Sequence, residues 1–83
     1  MSAKFTRGPW KARMNCDVMA GERLVAVCMT GWLREDRANA HLIAAAPEML
    51  EALERIRDES GPFNLGEMRK LVESAIRKAR GEE

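Results

Sequence analysis

Leu24-Val25-Ala26-Val27-Cys28-Met29, closed by Thr30-Gly31, is the most informative run of the chain. All six residues before the threonine are apolar, too short a run for a helix and rich in β-branched valine. As a strand it places Leu24, Ala26 and Cys28 on one face and Val25, Val27 and Met29 on the other. A strand apolar on both faces is normally covered on both. So few other elements are available that the Val25, Val27 and Met29 face is expected to meet another subunit.

Upstream, Ala20-Gly21-Glu22-Arg23 reads as a hairpin turn, with Gly21 free to take a positive φ. Before it, Trp10, Ala12 and Met14 alternate with Lys11 and Arg13, which predicts a further strand. Residues 10–31 are thus expected to form a β-hairpin or three-stranded meander, and residues 1–9 a loose arm ending at the turn signal Gly8-Pro9.

Downstream, the period changes from two to between three and four. Residues 34–46 hold five alanines with Leu42 and Ile43, a helix of high intrinsic propensity that lets backbones approach closely. Pro47 is costly inside a helix and harmless in a first turn, so residues 47–59 read as a second helix set at an angle. Asn64 with Glu67 has the capping-box spacing. The apolar stripe that follows through Met68, Leu71, Val72, Ala75, Ile76 and Ala79 predicts a third helix over 64–80. The expected fold class is α+β, a short N-terminal antiparallel sheet packed on three C-terminal helices in a single domain.

Length and composition restrict the function. At 83 residues the chain has a thin core, and proteins this small usually add disulfides, a metal or a partner. Cys16 and Cys28 have no paired spacing, and His41 is the single histidine. Neither a disulfide framework nor a metal site is expected, which leaves a homo-oligomer by elimination. No apolar run approaches the roughly 20 residues of a membrane span, and no signal-peptide pattern opens the chain, so the expected compartment is cytoplasm. The net charge of +1 divides into +4 over residues 1–34 and −3 over residues 35–83. That balance suits neither a DNA mimic nor a dedicated duplex binder, and nucleic acid is the weakest of the partner classes considered.

No activated nucleophile or acid–base pair stands out, and no cofactor is expected. His41 sits mid-helix among alanines, and a catalytic role for it is disfavoured. The two tryptophans are more informative. Trp10 has Lys11 and Arg13 beside it; Trp32 has Arg34 and Arg37 beside it, where a helix begins. Aromatic faces, cations and unpaired backbone N–H groups together suit a nucleotide or another phosphorylated ligand. The competing reading is that both indoles seal the core while the arginines lie over them. The candidate ligand-binding residues are therefore Trp10, Arg13, Trp32, Arg34, Arg37 and His41.

Thr6-Arg7-Gly8-Pro9-Trp10 and the stretch from Ala38-Asn39-Ala40-His41-Leu42-Ile43 through Ala44-Ala45-Ala46-Pro47-Glu48 to Met49-Leu50-Glu51-Ala52-Leu53 resemble a group of small proteins from bacteriophages and prophages. That group carries T-P-G-P-W near its start and A-N-A-R-L-I-A-A-A-P-E-L-L-E-A-L in its middle. This chain differs at Arg7, His41 and Met49, where the group usually has proline, arginine and leucine. The resemblance implies a phage accessory protein acting in a bacterial cytoplasm, and it transfers no catalytic residues. By analogy with other small phage proteins it implies an antagonist of host defence. Three non-enzymatic readings follow: sequestration of a nucleotide-like signal, direct inhibition of a host immune complex, and nucleic-acid binding.

Overall fold

Three short strands, β1 (Lys11–Ala12), β2 (Asp17–Ala20) and β3 (Arg23–Val27), form an antiparallel sheet in the order β1-β2-β3. Three helices follow, α1 (Leu33–Ala44), α2 (Ala46–Asp58) and α3 (Leu65–Ala79). The protein is an α+β fold. The computed structural model describes residues 4–58 and 65–82. The expected Asn64 cap lies outside the described residues, as do Glu59 at the end of the second expected helix and the first three residues of the arm.

Both hairpin turns follow local chemistry. Gly21 has φ of +61° at the first central position of the β2–β3 turn, which a II′ turn reserves for glycine. In the β1–β2 loop, Cys16 donates its N–H to the Arg13 carbonyl at 2.9 Å and Arg13 donates to Asp17 at 2.8 Å. Cys16 there takes φ of +68°, a left-handed conformation that usually falls to glycine. Asn15 steadies the loop: its amide donates to the Asp17 carboxylate and its Oδ1 accepts the Asp17 N–H.

β3 departs from simple alternation. Val18 faces Ala26 while its neighbour Met19 faces Leu24, so Val25 is an extra residue in a β-bulge. The bulge reverses the phase of every position before it. Ala26 and Cys28 point inward and Val27 and Met29 outward, as alternation predicts, but Val25 turns to the core and Leu24 to solvent. The expected outward trio of Val25, Val27 and Met29 is thereby corrected to Leu24, Val27 and Met29.

The sheet's inner face packs on α1. Val18, fully buried, meets Cys16, Ala40 and Ala44, with Trp10, Ala12, Val25, Ala26, Cys28 and Ile43 around them. The alanines of α1 permit that close approach because they carry no bulk beyond Cβ. α1 itself begins at Trp32, which offers no side-chain cap. Asp36 substitutes from inside the helix: its Oδ1 accepts the Thr30 hydroxyl at 2.6 Å and the Thr30 N–H at 2.7 Å. The Thr30 hydroxyl oxygen in turn accepts the Trp32 N–H. These hydrogen bonds hold the Asp36 carboxyl below its ordinary range, the hydroxyl bond contributing most.

α1 ends at Ala44 with Ala45 as its C-cap, and α2 starts at Ala46, so the break comes two residues before Pro47. In a continuous helix the Pro47 ring would strike the Ile43 carbonyl. Residues 5–9, expected as part of a loose arm, lie at this junction together with Trp10. The Trp10 indole N–H donates to the Thr6 carbonyl at 3.1 Å, and Phe5, Trp10, Ala46, Pro47 and Leu50 line one small cavity. A Cβ on Gly8 would stand 2.9 Å from the Pro47 Cβ, so glycine there admits the proline. The two segments that carry the phage resemblance thus pack on each other.

α3 crosses α2 and reaches back to α1. Lys78 donates to Glu48 at 2.8 Å, joining the last turn of α3 to the first turn of α2. The helix closes in a Schellman motif: Gly81 at φ of +74° donates to Lys78, and Glu82 donates to Arg77. Among the described residues no helix is long and apolar enough to cross a membrane.

A candidate anion-binding cleft

Arg34, Arg37 and His41 stand three and four residues apart on α1, so they share one face of that helix. It is not the face that Asp36, Ala40 and Ala44 bury. The β1–β2 loop, held by its hydrogen bonds to Asp17, sets Arg13 opposite this cationic stripe. Between loop and helix lies a cleft of about 220 Å³ lined by Ala12, Arg13, Met14, Arg37 and His41.

The lining holds two guanidiniums and an imidazole, with no carboxylate to neutralise them. Among the described residues neither Arg13 nor Arg37 is in a salt bridge. Guanidinium groups present paired N–H donors that match phosphate and carboxylate oxygens. His41 is half-buried, and its ring is backed by the chain that ends α3: a Cβ placed on Gly81 would lie 2.7 Å from His41 Cδ2. The αL glycine of the Schellman motif therefore packs against the imidazole and limits where the ring can go. Sequence reading did not find that contact, since it joins positions forty residues apart.

The volume limits what fits. Pockets that enclose a drug-sized ligand begin at roughly 300 Å³. This cleft takes a phosphoryl or carboxylate group and leaves the rest of a larger ligand over Met14, whose side chain is 85% exposed. No residue of the lining is a hydroxyl or thiol nucleophile. The arrangement supplies charge and hydrogen-bond donors, which is the equipment of binding.

Of the six candidate ligand-binding residues, the structure brings Arg13, Arg37 and His41 together. Arg34 lies one turn beyond Arg37 on the same stripe and outside the lining. Trp32 caps α1 and is 71% exposed, so it does not seal the core and does not line the cleft. Trp10 is half-buried against the core and the Pro47 junction, with its N–H used internally. Met14, expected to alternate with Arg13 along a strand, instead sits in the turn between β1 and β2, which takes it to the cleft.

The cysteines stand across the end of the sheet, where Cys28 donates its N–H to the Cys16 carbonyl at 3.2 Å. Both are free. Burial pushes the Cys28 thiol upward, and the nearby Asp36 carboxylate adds to the effect, so the thiol form prevails at neutral pH.

The profile of one protein family, described as Salmonella phage P22 protein Y8K6, matches the chain over residues 1–83. No curated protein matches it, and no solved structure does.

Proposed function

The chain belongs to the phage family of Salmonella phage P22 protein Y8K6, and from that premise we propose a non-enzymatic accessory protein that binds a phosphorylated, nucleotide-like small molecule. The observation that carries this reading is the convergence of Arg13, Arg37 and His41 on one cleft without a carboxylate. The two guanidiniums, of like charge, repel each other, and an anion between them relieves that repulsion while accepting their hydrogen bonds. A phage protein that withholds such a molecule in the bacterial cytoplasm would antagonise a host defence that signals with it.

A second reading has its own support. Leu24, Val27 and Met29 stand exposed on the outer side of the sheet, with Trp32 also exposed nearby in sequence. An apolar surface of this kind suits a host immune protein as the target, in place of its signal.

Native mass spectrometry of the protein purified gently from its bacterial host tests the first reading. The expected result is a small phosphorus-containing mass bound to the wild-type protein and absent from Arg37→Ala. A retained host protein with no small adduct supports direct inhibition instead.

A further inference from the structure

α2 and α3 bury the small residues Ala52 and Ala75, while several of their larger apolar side chains stay exposed. Between the two helices and the end of α1 runs a groove of about 340 Å³. Ala52, Ala75 and Ala79 form its floor. Its rim includes Leu42, Met49, Leu53, Ile56 and Ile76, all exposed, with Leu53 at 64%. Met49, Leu53 and Ile56 fall at helical spacing on α2, so the groove is one continuous stripe.

We propose that this groove is the interface of a homodimer, occupied by the α2–α3 pair of a second copy of the chain. Surface area is the first argument. The chain exposes 6818 Å², whereas a compact monomer of 9.3 kDa exposes about 5,000 Å². A standard interface takes about 800 Å² from each partner, less than half of that excess. The radius of gyration, 14.3 Å, also exceeds the roughly 12 Å of a compact chain of this length.

Charge is the second argument, and it selects the partner. α2 carries four carboxylates and two guanidiniums, a net −2, whereas α3 carries two carboxylates and four cations, a net +2. In a two-fold arrangement α2 of each copy lies on α3 of the other, so the rims meet with opposite sign. The sheet's outer face lacks this match: Lys11 and Asp17 interrupt it at the positions beside Met19 and Val27. The two copies then form a four-helix layer with a sheet at each end, and each anion-binding cleft stays outside the interface.

Analytical ultracentrifugation over a micromolar concentration series tests this. Wild-type protein is expected at twice 9.3 kDa. Leu53→Asp is expected to be folded by circular dichroism, because the site is exposed in the monomer. Its dimer dissociation constant should rise by about 30-fold or more, the effect of an interface hot spot. Leu24→Asp, on the sheet's outer face, is expected to remain dimeric. A monomeric wild type overturns the proposal, and so does a dimer that Leu53→Asp leaves intact.

Discussion

Gly81 illustrates how much rests on single side chains in a chain this small. It terminates α3 in the left-handed conformation and leaves room for the imidazole of His41. Gly81→Ala should lower stability by roughly 1–2 kcal/mol for the αL strain alone. It should also weaken phosphate binding, since His41 must rotate away from the new methyl. Thermal melts and phosphate titration of the same variant separate the two effects. Asp36 makes a second residue-scale prediction. Its folded-state pKa is depressed by the Thr30 hydrogen bonds, so its contribution is complete above the unfolded value near 3.9 and is lost as pH falls below it. Melting temperature between pH 5 and pH 3 should fall less steeply in Asp36→Asn than in the wild type.

At the scale of elements, the bulge in β3 decides which side chains face the core. Val25→Asp should destabilise the fold by about 2–3 kcal/mol, because it buries an unpaired charge. Val27→Asp, two residues on and half exposed, should lower the urea midpoint far less, its cost limited to repulsion from Asp17 across the strands. Equal effects of the two variants would contradict the register. The strand itself was legible from six consecutive apolar residues and the glycine turn before them. The bulge was not, since one extra residue leaves no mark in composition. The helices were legible from periodicity, and the break between the first two from Pro47. That the break falls at Ala45 follows from the proline's clash with a carbonyl four residues earlier. The arm at residues 5–9 read as loose because its partner, the Pro47 junction, is distant in sequence.

Across the whole molecule, the sheet and α1 build one small core, and α2 with α3 extend from it. Only Val18 among the large apolar side chains is fully buried within the described residues. Each buried alanine methyl contributes less than about 1 kcal/mol, so this core alone is thin. That shortage was legible from length and cysteine count. Where the remedy lies was not, because it depends on which helix faces remain uncovered once the tertiary packing is complete. The candidate cleft was half legible in the same way. Cations beside tryptophans suggested a ligand, but only the loop geometry selects Arg13, Arg37 and His41 over the indoles.

Isothermal titration at low salt decides whether Arg13, Arg37 and His41 hold an anion. Inorganic phosphate serves as the minimal probe, followed by mono- and dinucleotides. Saturable binding by the wild type is expected, with a loss of roughly 10- to 100-fold in Arg37→Ala, the effect of removing a charge-assisted hydrogen-bond pair. Binding that is absent from the wild type, or that survives unchanged in the combined Arg13→Ala and Arg37→Ala variant, would contradict it.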